Sequence, residues 1–437
     1  TWCLDPRRFT THANVEMTSL KAIEDYQNEF RFHFPHEHRP AARNAKTTPL
    51  TPVMAKENAE FTVINGWERV EYIKPSEDFH PSLSFHFDEA FDIVANEVKN
   101  VQNNVGLTEV NGFNRFEISG SDAESFIDRM FCGNITHKIG RVGLGYLLND
   151  FGMIKSEATI SNLPSSDRGP KRIWYGSAAA SEFHDMDWLK QHLKADEEVE
   201  IKSLTNDQTI LLLAGPNARE VLSSCSREDW NKEAFPWLSV RECFIGFSPA
   251  TVMSVSFSGE LAYEVHVPNA FLYAAYLSIS NAGKGFGMKL FGSRAVESMR
   301  MEKGFLAWKS DLLTEFDPFE TGLERFVNLN KDNFIGKEAL QKHAKNGPKQ
   351  KLVCLKVACK HAPAYGGASL MEDGKVIGTI TSGDWGHRVN LNLAYAFVNP
   401  EKSELGTQML LDLLGEMISV EVIPFGPYDS NFSRILS

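Results

Sequence analysis

The chain has 437 residues, a formal net charge of −12 and 42% hydrophobic residues. This length is enough for two or three domains with sizeable hydrophobic cores. The acidic charge and the lack of a basic run disfavour nucleic acid as a partner, and no apolar run is long enough to span a membrane. The six cysteines are scattered without a CxxC pair, so we expect reduced thiols in a bacterial cytoplasm or the mitochondrial matrix.

The first hundred residues are rich in aromatic and histidine side chains but contain few periodic elements. The sequence does not begin with Met, so we expect the downstream part of a longer chain or a processed subunit. His33, His36 and His38 have no paired Cys or Asp cluster nearby, so we interpret them as a polar loop and expect no metal site. We predict that residues 1–104 form a segment that packs on another domain or subunit.

Strands alternate with helices from about residue 105. Residues 116–120 indicate a strand ending in a turn, and Ser121 and Glu124 have the spacing of a capping box at the start of a helix. Residues 210–218 repeat the arrangement of strand, glycine and helix. Two such units predict a duplicated α+β half-domain.

The last section of the chain, residues 347–437, consists mainly of short strands separated by turn signals. The regular spacing of these strands is typical of a small antiparallel barrel or sandwich. We therefore expect a separate, all-β C-terminal domain.

A first hairpin is predicted over residues 147–160, with residues 149–152 as its turn. Glu157 follows this turn among small and apolar residues. A carboxylic acid in such surroundings can have a raised pKa and can accept a proton in a reaction. The alternative interpretation is an ordinary exposed strand glutamate.

A second hairpin is predicted over residues 251–267, with Gly259 at its turn. Glu260 and Glu264 stand on either side of an aromatic residue, Tyr263. A carboxylate beside a ring can accept two parallel hydrogen bonds from an amino-pyrimidine edge. The alternative is a hairpin whose acids are solvated.

Two further observations limit the chemistry of the chain. Arg300, Glu302 and Lys303 fit a solvated helix face better than a site. No G-x-G-x-x-G follows a strand, and the sequence has no P-loop, H-E-x-x-H or G-x-S-x-G motif. Redox chemistry, phosphoryl transfer and serine hydrolysis by this chain alone therefore lose support.

An ordered set of motifs resembles a known family. It comprises both hairpins and residues 214–219, 299–305, 334–340 and 381–386. The set resembles the folate-binding half of the dimethylglycine and sarcosine dehydrogenases, which is related to the aminomethyltransferase of glycine cleavage. The resemblance extends over nearly the whole chain. It implies an α+β, aminomethyltransferase-like fold with two ferredoxin-like subdomains over residues 105–346 and an antiparallel β-barrel over residues 347–437.

The resemblance also implies a set of site residues. Glu157 would face the reacting nitrogens of tetrahydrofolate and accept or relay a proton. Glu264 would hold the pterin, with Val265 and His266 adjacent to it. Phe257 stands where the family usually has tyrosine, so ring stacking is retained while a hydroxyl hydrogen bond is lost. Arg325 replaces a further folate-contacting tyrosine and could pair with a folate glutamate tail.

The function implied by the resemblance couples two sites. A flavin oxidises an N-methyl amine, and tetrahydrofolate in this chain captures the one-carbon unit as 5,10-methylenetetrahydrofolate. Enclosure matters because a free iminium ion hydrolyses in water. The FAD would belong to a partner chain or to a missing N-terminal domain, and residues 1–104 would pack on this flavin domain or subunit. We expect an oligomer without nucleic acid, membrane or metal. The sequence does not identify the amine.

Two other functions stay open at this point. The chain could be a stand-alone folate-dependent methyltransferase or aminomethyltransferase that uses no flavin. It could also be a non-catalytic relative, like the flavoprotein-like regulatory subunit of pyruvate dehydrogenase phosphatase. The residues present at Phe257 and Arg325 are compatible with this last interpretation.

Overall fold

The computed structural model describes residues 6–165, 171–179 and 181–437. The helices are α1 (Val15–Gln27), α2 (Thr51–Lys56), α3 (Phe91–Asn103), α4 (Ala123–Met130), α5 (Glu182–Gln191), α6 (Ala218–Cys225), α7 (Leu272–Gly283), α8 (Ser293–Lys303) and α9 (Lys337–Asn346). The strands are β1 (Ala59–Ile64), β2 (Trp67–Ile73), β3 (Val105–Val110), β4 (Asn114–Ser119), β5 (Val142–Leu148), β6 (Ile154–Leu163), β7 (Arg172–Ser177), β8 (Glu200–Ser203), β9 (Gln208–Ala214), β10 (Val240–Ile245), β11 (Ser248–Met253), β12 (Ala262–Pro268), β13 (Met288–Leu290), β14 (Lys351–Val357), β15 (Ser369–Glu372), β16 (Lys375–Gly386), β17 (Leu391–Val398), β18 (Gln408–Leu413) and β19 (Glu416–Ile423).

The first of two related sheets has the strand order β5-β6-β7-β4-β8. Alternation along β6 explains its two faces, because successive side chains of a strand point in opposite directions. Ala158 and Ile160 are fully buried in a core shared with α4 and α5. Glu157 and Ser161 therefore lie on the opposite face, which is turned away from these helices.

The second sheet repeats this chain order. Its strand order is β10-β11-β12-β9-β3-β13, so β9, α6, β10, β11, β12, α7 and β13 follow one another as β4, α4, β5, β6, β7, α5 and β8 do. The difference is β3, which lies between β9 and β13. The repeated order confirms the predicted duplication of an α+β unit. In each half two helices cover one face of the sheet and bury its apolar side chains.

The predicted capping box is wrong. The residue before α4 is Asp122, and its side chain makes no capping hydrogen bond. Instead the Ser121 hydroxyl donates to Glu198, whose backbone N–H donates to Asp122. The loop before β8 thus lies against the start of α4. Its Glu198 contacts Ser121 and Asp122, and Ser121 is the residue that the spacing predicts as the helix cap.

The C-terminal section forms a closed barrel of six antiparallel strands in the order β14-β17-β16-β15-β18-β19. Closure removes the free sheet edges that short strands would otherwise expose. Together with the two related sheets, the barrel confirms the predicted α+β aminomethyltransferase-like fold. The exact domain boundaries stay predictions.

Helix α8 lies against the barrel strands β16 and β17, and its polar residues are buried there, so the interpretation of a solvated face is wrong. Arg300 is fully buried and pairs with Asp311 at 2.6 Å. Glu302 is also fully buried and pairs with Arg388, which lies just before β17. Buried charges are tolerated where each has a partner. The pair of Glu302 and Arg388 therefore joins α8 to the barrel.

The N-terminal segment divides into a packed part and an exposed part. Helix α3 and strand β2 pack on the second sheet and on α8. Helix α1, in contrast, contributes only Glu24 to the buried residues. His36 and His38 both contact the Glu71 carboxylate, which confirms a polar loop there.

Candidate functional site

The carboxylate of Glu157 lies half-buried in the middle of β6. Burial raises its pKa to about 7, because removal from water disfavours the charged form. The Tyr146 hydroxyl donates a hydrogen bond of 2.6 Å to Glu157 Oε2 and partly opposes this rise. Glu157 can therefore exchange a proton near neutral pH, as a general acid or base must.

Tyr146 and Arg325 complete the surroundings of Glu157. Tyr146 is buried directly opposite Glu157 in the β5–β6 pair, and its ring meets Phe326 edge-on at 5.2 Å. Burial and the nearby Glu157 charge raise the pKa of Tyr146 well above its usual value, so the hydroxyl stays protonated. Arg325 is exposed on a short 3-10 helix, close enough for its charge to act on Tyr146.

The second predicted hairpin is present, but its connection is longer than a tight turn and runs over residues 254–261. Gly259 has a φ of +80° and a Cβ there would meet the Lys303 side chain at 3.0 Å, so glycine suits the position. Glu260 is 1% exposed and contacts Arg388 and Arg434, each at 2.7 Å. Glu260 is therefore a structural anion, and Glu264 is the carboxylate left for a ligand.

Glu264 lies on β12 with 33% of its side chain exposed. His266, two residues later on the same face, places Nε2 at 3.1 Å from Glu264 Oε2. Burial would raise the pKa of Glu264, but the His266 hydrogen bond and the charge of Arg115 outweigh it and lower this pKa. Burial and Arg115 lower the pKa of His266 to about 4, so the neutral ring donates its Nε2–H at pH 7.

Val265 and Tyr263 point to the other face of β12. Both are fully buried in the hydrophobic core beneath α6 and α7. Only the backbone of Val265 thus lies beside Glu264. Phe257 is 38% exposed and stacks on Phe305 with 6.0 Å between ring centroids and 13° between ring planes. Phe257 lies in the β11–β12 connection and Phe305 follows α8, and together the two rings offer a partly exposed apolar surface.

Contacts between the two sheets place the faces of Glu157 and Glu264 toward the same interface. Ser161, on the face of Glu157, contacts the sulfur of Met253 on β11 at 3.5 Å. The Trp174 ring on β7 lies 5.7 Å from the His266 ring. The site is thus built from both halves. Three of its residues were not predicted from the sequence, namely Tyr146, Arg115 and Trp174.

The site provides one carboxylic acid that titrates near pH 7 and one carboxylate that stays ionised. This pair can anchor N–H donors of a ligand at one point and move a proton at another. Within the described residues no cluster of His, Cys, Asp or Glu could hold a metal ion. No helix in the described part of the chain is long and apolar enough to cross a membrane.

Comparison with family models gives three matches along the chain. Residues 50–331 match the GCVT N-terminal domain, and residues 350–429 match the glycine cleavage T-protein C-terminal barrel domain. The chain belongs to the GCVT family. Residues 1–48 match the FAD dependent oxidoreductase central domain. These matches confirm the resemblance found in the sequence motifs.

Individual relatives agree with this assignment. The chain is 32% identical to human mitochondrial dimethylglycine dehydrogenase over 96% of this chain and 48% of that protein. It is 25% identical to mouse mitochondrial sarcosine dehydrogenase over 99% of this chain and 52% of that protein. The chain thus spans about half the length of the curated relatives it matches.

A solved structure shares the fold. The glycine cleavage system aminomethyltransferase T from Bartonella henselae superimposes with a TM-score of 0.76 at 22% identity. The superposition covers 88% of this chain and 98% of the other. The similarity supports the fold of the two halves and the barrel.

Proposed function

We propose that this chain is the tetrahydrofolate-binding portion or subunit of a flavin-dependent enzyme that demethylates an N-methyl amine similar to dimethylglycine or sarcosine. Its task is to capture the one-carbon unit as 5,10-methylenetetrahydrofolate. The observation that carries this proposal is the pair of carboxylates with opposite protonation behaviour, Glu157 and Glu264, inside an aminomethyltransferase-like fold. The match of residues 1–48 to an FAD-dependent oxidoreductase domain supports the flavin part.

The residues present fit tetrahydrofolate. Its pterin offers adjacent N–H donors, and Glu264 is a half-exposed carboxylate that stays ionised and is already oriented by His266. Phe257 and Phe305 give an aromatic surface for a flat ring system. Arg325 is an exposed cation near Tyr146 and suits a carboxylate of the glutamate tail.

Tetrahydrofolate, when bound, supplies the nitrogen atoms that accept a one-carbon unit. Glu264 holds and orients the pterin through hydrogen bonds to its carboxylate. Glu157 accepts the proton released at its carboxylate oxygen, and Tyr146 keeps that carboxylate in place through the hydrogen bond to Oε2. The raised pKa of Glu157, about 7, matches the pH at which such a proton transfer is efficient.

The flavin belongs to a partner chain or domain in this proposal. Helix α1 and the turn after it expose large apolar side chains, among them Ile23 at 57%, Tyr26 at 79% and Phe30 at 94%. Exposed apolar groups that lie close together indicate an interaction surface. We propose that this surface packs on the flavin-binding part and that the assembly is an oligomer in the bacterial cytoplasm or the mitochondrial matrix.

Calorimetry and an oxidation assay on the isolated chain test the proposal. The purified chain should bind reduced folate, and it should not oxidise dimethylglycine or sarcosine. Adding the flavin-binding part should restore oxidation and yield 5,10-methylenetetrahydrofolate. An isolated, flavin-free chain that oxidises the amine would contradict the division of labour. A chain that binds no reduced folate would instead support the non-catalytic alternative.

A further inference from the structure

The guanidinium group of Arg115 lies close enough to Glu264 for its charge to act on that carboxylate, and among the described residues it makes no side-chain hydrogen bond. Arg115 is 4% exposed. Within residues 6–165, 171–179 and 181–437 its hydrogen bonds are made by the backbone, including the N–H donated to Thr205. Its guanidinium carbon lies 5.8 Å from the centre of the Trp174 ring. The guanidinium N–H donors are therefore left for solvent or for a ligand to accept.

Arg115 and Glu264 are neighbours that do not touch. The Trp174 ring centre lies 5.8 Å from the Arg115 guanidinium carbon and 5.7 Å from the His266 ring, and His266 donates to Glu264. Arg115 acts electrostatically on both Glu264 and His266, yet the described residues show no ion pair between Arg115 and Glu264. Arg115 is therefore a hydrogen-bond donor and Glu264 an acceptor, and the two are held apart at one end of the site.

The edge of a 4-oxo pterin has the matching order of groups. Its 2-amino group and N3–H are adjacent donors, and the 4-oxo oxygen beside them is an acceptor. We propose that Arg115 is a specificity-determining residue that donates to this oxygen while Glu264 accepts from the two donors. The inference rests on the proposed function, because it assumes that Glu264 holds a pterin. In a pterin with a 4-amino group in place of the 4-oxo group, the N–H donors of that amino group would face the N–H donors of Arg115.

The test measures, by calorimetry, the dissociation constants of tetrahydrofolate and of its 4-amino-4-deoxy analogue on the same protein preparation. We expect the wild-type chain to prefer the 4-oxo compound. Arg115→Met should lower this preference at least tenfold, because it removes the donor to the oxygen and the clash with the amino group. Arg141→Met is the matched control, since the Arg141 guanidinium lies in the same half but donates to Ser239 at 2.9 Å.

The ratio of two affinities is insensitive to partial loss of folded protein. An unchanged preference in Arg115→Met, with tetrahydrofolate still bound, would overturn the role of Arg115 and leave the proposed function intact. Failure of the wild-type chain to bind either compound would overturn both. If Arg115→Met does not fold, Arg115→Lys decides, because it keeps the charge but loses the planar fork. Its preference should fall several-fold, and an unchanged preference would refute the proposal.

Discussion

The two halves of the molecule each present a glutamate to their shared interface, and the two glutamates have opposite acidities. Glu157 belongs to the first sheet, and its pKa is raised to about 7. Glu264 belongs to the second sheet, and its pKa is lowered. Both are half-buried residues of central strands. Burial alone therefore does not decide which of them carries a charge.

The difference comes from the partners of each carboxylate. Glu157 faces a neutral tyrosine hydroxyl, which stabilises its charge only weakly against the cost of burial. Glu264 has the neutral His266 donor and the buried Arg115 cation nearby. In our proposal the duplicated fold carries a proton acceptor in one half and a fixed anion in the other. Divergent pKa values of paired acids are typical of assigned acid–base roles.

Glu157→Gln tests the proton-accepting half and should have the largest effect. The amide keeps the shape and an acceptor for Tyr146 but cannot take a proton, so formation of 5,10-methylenetetrahydrofolate should slow by roughly 10²- to 10⁴-fold. Formaldehyde should be released instead, while folate affinity changes by less than about tenfold. Both one-carbon products are quantified in the complex with the flavin-binding part.

The control for this experiment is Glu197→Gln. Glu197 is a partly buried acid of the same half whose hydrogen-bond partners are Arg129, at 3.0 Å, and the backbone of Lys194, at 2.9 Å. This variant should leave the product ratio unchanged. If Glu157→Gln also gives the wild-type ratio, Glu157 is only a strand residue and the proton acceptor lies elsewhere.

Glu264→Ala tests the anionic half and should have the next largest effect. Removing a charge-assisted acceptor leaves the pterin donors unpaired, so tetrahydrofolate binding should weaken by about 2–3 kcal/mol, roughly 30- to 150-fold. Calorimetry against Glu197→Ala measures this loss. Affinity equal to wild type within error would show that the Glu264 carboxylate does not contact the pterin.

Tyr146→Phe should have the smallest effect. It should change the pKa of Glu157 without removing the difference in acidity between Glu157 and Glu264. Tyr146 stabilises the ionised form of Glu157, so its loss should raise the pKa of Glu157 by about one unit. The capture rate should fall several-fold at pH 7 and recover at higher pH. Tyr175→Phe removes a comparable buried hydrogen bond to Asp185 on the helix side of the sheet. If the pH profile of the capture rate moves equally in Tyr146→Phe and Tyr175→Phe, the assignment of Glu157 as the proton acceptor is contradicted.

The fold and the two principal carboxylates were predictable from the sequence because their signals are local. Alternating side chains around each turn place Glu157 and Glu264 on strands, and the family motifs assign their roles. The partner of Glu157 was missed for a physical reason. Strand β5 carries an irregularity between Leu147 and Leu148, so counting from the turn does not give the pairing of Tyr146 with Glu157.

Long-range partners account for the other errors. Glu260 and Glu264 look equivalent in the sequence, but Glu260 is bound by Arg388 and Arg434, which lie more than a hundred residues further along the chain. The sequence suggests a solvated face for α8 for the same reason, because Glu302 is paired with Arg388 of the β16–β17 connection. Such ion pairs depend on how the barrel docks, and no local pattern encodes that docking.

Carbon-13 NMR titration of the glutamate carboxyl groups tests the central contrast most directly. The chain is labelled at glutamate Cδ, and Glu157→Gln and Glu264→Gln assign the two resonances. The Glu157 resonance should titrate near pH 7, and the Glu264 resonance should titrate below the usual glutamate value of about 4.5. Equal midpoints for the two resonances, or the reverse order, would contradict the assignment of one proton acceptor and one fixed anion.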